Sequence, residues 1–238
     1  MSRLAASSAE LAALLSSQRA FAPLLPFDLD SPNVVVFDFT ERNARLRPED
    51  VGDVARFSRH VFDALAAAGS PVGIGRYDED RVIYRWSSLF SGEEPRTVHL
   101  GIDLWAAPGT AVLAPLAGTV HSFANNPAAG DYGPTIVLEH VLQGVRFCTL
   151  YGHLSLSSLH GLGKGTAFLA GQRMATIGRP PTNGNWPPHL HFQVIRDMLG
   201  KRGDFFGVAP LSQRAGFLDL CPDPNRILRI AKLRSERR

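Results

Sequence analysis

The chain has 238 residues, of which 45% are hydrophobic and 20% charged, and its formal net charge is +3. That length and balance suit a soluble globular protein with a real core, and no apolar run approaches the roughly 18 residues of a membrane-spanning helix. Much of the basic excess gathers in residues 226–238, with no aromatic residue interleaved, which reads as a solvated end and not as a nucleic-acid arm.

Near the start, Ser7-Ser-Ala-Glu10 has the form of a capping box, and it predicts an amphipathic helix ending before Pro23. The apolar stretch 11–15 is short and is flanked by Glu10 and by Gln18 and Arg19. An export signal needs a basic start, about 7–15 uninterrupted apolar residues and a small-residue cleavage site, so the expected location is the cytoplasm. Residues 33–39 predict a largely buried strand. A helix is expected from Pro48, with Val51, Val54, Phe57, Val61 and Leu65 at helical spacing and Gly69 as its C-terminal cap. Asp28, Asp30 and Asp38 lie scattered around turn and strand and are not assigned to catalysis. Residues 81–86 predict another strand, and the polar stretch 91–95 is the best candidate boundary.

From residue 97 to 197 the pattern changes to short alternating or apolar runs separated by Gly, Pro and Asn turns: 110–116, 119–123, 135–141, 145–151, 167–169, 174–177 and 189–195. This predicts a mainly β, β-rich α+β fold, an antiparallel two-sheet sandwich or partly open barrel forming a groove, with a helical N-terminal extension. Three parts follow: residues 1–95 as a cap or docking extension, 96–197 as the core, and 198–238 as a C-terminal extension with a basic tail. That last part holds Pro222-Asp-Pro-Asn225 and an apolar-basic segment that predicts a short helix. Of the two cysteines, Cys148 reads as a buried free thiol.

Two strings carry the chemistry. Read as strands, whose side chains alternate faces, His99-Leu-Gly-Ile-Asp103 sets His99, Gly101 and Asp103 on one face and Leu100 and Ile102 on the other. His189-Leu-His191 likewise turns His189, His191 and Gln193 one way and Leu190, Phe192 and Val194 the other. Gly101, between two polar residues, is expected to leave room for an ion or substrate. A catalytic zinc takes three protein ligands and leaves a position for water, whose pKa falls to about 7. One His and one Asp from the first string with one His from the second supply such an open set. A closed structural site would call for cysteines, and neither lies near these histidines in sequence.

Around the two strings the order is His99-Leu-Gly-Ile-Asp-Leu-Trp-Ala-Ala-Pro-Gly-Thr-Ala-Val-Leu-Ala-Pro-Leu-Ala-Gly-Thr-Val120, Tyr151-Gly-His-Leu154, Ala170-Gly-Gln-Arg-Met-Ala-Thr-Ile-Gly178 and Pro188-His-Leu-His-Phe192. This closely resembles the lysostaphin/LytM-type zinc metallopeptidases over roughly a hundred residues. The resemblance implies one zinc ion held by His99, Asp103 and His191, with His189 as general base and His153 steadying the oxyanion, so that four of the eight histidines have a role. His60, His121, His140 and His160 are given none. Tyr151 is expected on the strand face of His153, as an aromatic packed at a groove edge. Pro187 departs from the family, which tends to carry a small residue there, and a rigid Trp186-Pro-Pro188 segment is expected to reshape one groove wall and with it the specificity.

The resemblance implies a zinc endopeptidase or amidase that hydrolyses short peptides such as peptidoglycan cross-bridges, its partner being a peptide or muropeptide substrate. Completeness of the set argues for activity. A second reading follows from the missing export signal and from the likeness of Pro222-Asp-Pro-Asn225 to family members joined to class III aminotransferases: an intracellular zinc hydrolase of a small amide, linked to amine or amino-acid metabolism. A third is a non-hydrolytic zinc-containing module that binds peptide, with residues 1–95 as docking surface. Nucleic acid and membrane insertion are not expected, and a partner enzyme or homo-oligomer stays open.

Overall fold

The computed structural model describes residues 7–85 and 88–234; Trp86 of the expected strand and residues 235–238 of the expected basic tail lie outside them. In chain order the elements are α1 (Ser8–Ser17), β1 (Val35–Phe37), α2 (Pro48–Val51), α3 (Val54–Ala68), β2 (Val72–Gly75), β3 (Arg96–His99), β4 (Ile102–Ala106), β5 (Ala111–Leu113), β6 (Gly118–Asn126), β7 (Gly133–Leu142), β8 (Val145–Gly152), β9 (Ala167–Phe168), β10 (Arg173–Thr176), β11 (His189–Ile195), β12 (Val208–Pro210), α4 (Arg214–Leu220) and α5 (Asn225–Leu228). None of the described helices is long and apolar enough to cross a membrane.

One eight-stranded sheet runs β1-β2-β4-β11-β8-β7-β6-β9, and two ribbons, β10-β5 and β12-β3, complete the β structure. The fold is mostly β, as the sequence pattern predicts. The sheet is mixed and not purely antiparallel, because β1 pairs β2 in parallel through Val35↔Gly73, with α3 as the crossover. Both strands come from the first 95 residues, and β2 pairs β4 with Gly75 opposite Asp103. On β11 the alternation holds: Leu190, Phe192 and Val194 enter the largest apolar cluster with Ile102, Leu104, Leu138 and Tyr151, while His189, His191 and Gln193 take the other face.

Three local expectations fail for identifiable reasons. The helix expected from Pro48 is broken into α2 and α3, because Asp53 adopts extended backbone and its side chain accepts from Arg56 N, starting a new helix. Gly69, left-handed at φ 60, closes it as expected. Residues 81–85 do not form a strand: Val82–Tyr84 is a 3₁₀ turn, closed by Arg85 N donating to Val82 O. Residues 99–103 are not one strand either, since β3 ends at His99 and β4 begins at Ile102. The break lets Leu100 N bond Gly207 O, so β3 follows β12 while β4 enters the main sheet.

The basic end is not a free solvated tail over its described part. Arg226 donates to Ser16 Oγ, Arg229 to the carbonyls of Arg19 and Gln18, and Lys232 to those of Ser31, Pro32 and Val34. Cys148 and Cys221 are both buried free thiols, and burial pushes each up to about 12.

Candidate metal centre and active site

Register delivers the polar side chains to one place. His191 lies directly opposite Asp103 on β4 and opposite Gly152 on β8, and β3 brings in His99 from the ribbon. Ligand atoms of His99, Asp103 and His191 all fall within 4.8 Å of one another, and all three residues are buried. His99 Nε2 and His191 Nδ1 are 3.0 Å apart, and Asp103 Oδ1 stands 3.2 Å from the first and 3.1 Å from the second.

The proton positions follow from the outer partners. His99 Nδ1 faces Arg76 O at 2.8 Å; a carbonyl only accepts, so Nδ1 carries the hydrogen and Nε2 is a lone pair. His191 Nε2 faces Gln193 Oε1 at 2.9 Å, and Gln193 is oriented because its Nε2 donates to Phe206 O at 3.0 Å. His191 Nε2 therefore donates, and Nδ1 is the lone pair. Two imidazole lone pairs and a carboxylate oxygen thus converge with no hydrogen between them. A proton is a poor occupant: burial, helped by the Arg81 charge and opposed by Asp103, pushes His99 down to about 3. A metal cation fits this donor set and satisfies all three atoms at once.

Gly101 has a different task from the one expected. A Cβ there would lie 2.5 Å from His191 Cε1, 2.6 Å from its Nε2 and 2.8 Å from Phe192 O. The space it leaves is filled by the His191 ring, not by an ion or substrate.

His153 and His189 sit beside this triad, their ring centroids 4.2 Å apart. His189 Nδ1 donates to Pro187 O at 2.7 Å and His153 Nδ1 to Asn183 O at 2.8 Å, so both rings turn an acceptor Nε2 outward. His189 Nε2 is 3.8 Å from Asp103 Oδ1. Burial pushes His189 down to about 4, and burial together with the neighbouring His189 holds His153 well below the usual histidine range. His153 takes left-handed backbone, φ 61, with its N–H on Tyr132 O; that twist aims its ring at the site. Tyr151 stays on the opposite face, in the apolar cluster against Phe192 at 5.4 Å, and is not at a groove edge. Pro187 contributes its carbonyl to His189, so its place in the chain also bears on the orientation of that ring, beyond the wall expected of it.

Several neighbours were not legible beforehand. Trp105 stacks on His189 at 4.1 Å and 25°, and is itself packed by Phe37, Phe39 and Phe57. The Tyr132 hydroxyl lies 3.5 Å from His191 Nε2, its ring seated where a Cβ at Gly152 or Gly207 would collide at 2.5 or 2.1 Å. Arg81, fully buried, donates to Asp103 Oδ2 at 2.5 Å. Arg81 is hidden in a run that reads as a strand, and Tyr132 in a Gly-rich turn; only the neighbouring turn glycines hint at a close approach. A cavity of about 260 Å³ opens on His153, His189 and His191, walled by Tyr84, Phe90, Trp186 and Phe206. His60, His121, His140, His160, Asp28, Asp30 and Asp38 are not among its lining residues.

Residues 97–202 match the model of peptidase family M23. A Haemophilus influenzae protein described as an uncharacterized metalloprotease is 36% identical over 127 residues, 51% of this chain and 24% of its own length, so the chain spans about a quarter of that curated relative. Among solved structures, a zinc-containing peptidase from Vibrio cholerae is 30% identical with TM-score 0.30, covering 41% of this chain and 27% of its own. The catalytic domain of lysostaphin from Staphylococcus simulans is 23% identical with TM-score 0.35, covering 54% and 85%. The stretch that carries His99, Asp103, His153, His189 and His191 is thus the part of the chain similar to peptidase family M23, and it is built into a sheet that also takes strands from the residues before it.

Proposed function

We propose that this protein is a zinc-dependent peptidase of the endopeptidase or amidase type, acting on short peptides such as those that cross-link peptidoglycan. The observation that carries the reading is the convergence of three proton-free donor atoms on His99, Asp103 and His191, with a second pair of histidines turned toward the same space. One zinc ion held there supplies a Lewis acid and an acidified water at neutral pH. His189, its Nδ1 tied to Pro187 O, offers Nε2 beside the donor set and outside it; it takes the proton of the attacking water and returns it to the leaving amine. His153 steadies the oxygen that gains charge. Its Nε2 rests as an acceptor, so it would act as the imidazolium after taking a proton from solvent, the form favoured once negative charge builds beside it.

Substitution separates these roles. His189→Ala and His153→Asn should keep zinc and lose hydrolysis, His153→Asn by about 10²–10³-fold, whereas His99→Ala and Asp103→Ala should lose metal and activity together. A zinc-loaded protein that binds short peptides without turning them over would leave a binding module in place of an enzyme.

A second reading has its own support. His153, His189 and His191 expose only 5%, 3% and 4% of their surfaces, at the floor of the cavity of about 260 Å³. Such enclosure favours a small soluble amide or a chain end over an internal bond of a cross-linked polymer, as suits a hydrolase working in the cytoplasm on amine or amino-acid compounds. Product release from purified cell wall, measured beside release from soluble dipeptides and muropeptides, decides between the two.

A further inference from the structure

Residues 78–81 run antiparallel to β3 through Asp78 N to His99 O, His99 N to Glu79 O and Arg81 N to Thr97 O, at 2.8, 3.0 and 2.9 Å. This alignment puts Glu79 and Arg81, two residues apart and so on one face, against the metal-site residues. Four of the guanidinium hydrogens have named acceptors. Arg81 Nε donates to Glu79 Oε2 at 2.8 Å, Nη1 to Asp103 Oδ2 at 2.5 Å and to the Tyr84 hydroxyl at 3.1 Å, and Nη2 to Arg76 O at 3.0 Å. Glu79 is held in turn, its Oε1 accepting from Phe39 N at 3.1 Å. Arg76 O is also the acceptor that fixes the His99 tautomer. One carbonyl and one guanidinium therefore orient two of the three donors.

We infer that Arg81, backed by Glu79, is a positioning residue for Asp103: it occupies Oδ2 and so leaves Oδ1 as the oxygen facing His99 and His191. The inference rests on the zinc reading above. Without Arg81 the carboxylate is free to rotate or to offer both oxygens, and the donor set loses its preset shape. Glu79 and Arg81 precede the family-matched stretch, so this chain completes its site with residues the family model does not contain.

The test is the affinity of the full chain for zinc, read by competition with a chromophoric chelator, and the visible absorption of the Co²⁺-loaded protein, which is strong for four-coordinate and weak for five-coordinate sites. The double variant Glu79→Gln/Arg81→Met removes Arg81 without leaving Glu79 as an unpaired charge, and Arg81→Lys keeps the charge and the buried stem. Loss of such an outer partner typically weakens metal binding about 10–100-fold. We expect that loss in the double variant, a weaker Co²⁺ spectrum as Asp103 offers its second oxygen, and partial recovery in Arg81→Lys. Wild-type zinc affinity and an unchanged Co²⁺ spectrum in the folded double variant would overturn the inference. If the wild-type chain binds no zinc, the zinc reading itself fails, and the two failures are told apart by that control.

Discussion

Gly101 shows how much a single missing side chain decides. Since a methyl there would press on the His191 ring and on Phe192 O at once, Gly101→Ala should cost about 1–3 kcal/mol of stability and displace a donor atom of the metal site; thermal melts with and without zinc check both effects. His140 poses a different question, being buried and bonded through Nδ1 to Ala117 O and Nε2 to Thr149 Oγ1. Burial pushes it down to about 4, below the value near 6.5 of an unfolded chain. The unfolded state then binds more protons between those values, so stability is full above about pH 6.5 and falls on acidification toward about pH 4. His140→Gln should flatten that fall by up to about 1.4 kcal/mol per pH unit, measured by denaturant unfolding across the range. The four site histidines and the aspartate were legible as a set because their types and spacing match a chemistry. Arg81 and Tyr132 were not, because their roles come from strand pairing and turn geometry far from any motif.

At the scale of elements, the aromatic layer under the site connects helix to chemistry. Phe57 of α3 packs on Trp105 of β4 at 5.7 Å, and Trp105 stacks on His189. Phe57→Ala should cost about 3–5 kcal/mol and lower turnover more than zinc affinity, since His189 is loosened while His99, Asp103 and His191 keep their own supports; kcat measured beside chelator competition tests the split. Alternation made β11 readable residue by residue. It misled at residues 99–103, where the polar and apolar sequence fits one strand but hydrogen bonding to Gly207 divides it between two sheets. It misled again at 81–85, where Val82–Tyr84 closes a 3₁₀ turn through Arg85 N on Val82 O.

For the whole molecule, the first 95 residues supply β1, β2, α3 and the Glu79–Arg81 pair. A chain starting at residue 96 would uncover the edge of β4 that β2 now pairs and strip Asp103 of its guanidinium. Such a fragment should aggregate or retain zinc poorly during dialysis against chelator; a soluble fragment with the metal affinity of the full chain would contradict this. The lacing of Arg226, Arg229, Ala231 and Lys232 onto residues 16–34 joins partners more than 195 positions apart. During synthesis, α1 therefore meets these partners only after residues 226–232 have been made, so that this docking follows the local pairing of β6, β7 and β8.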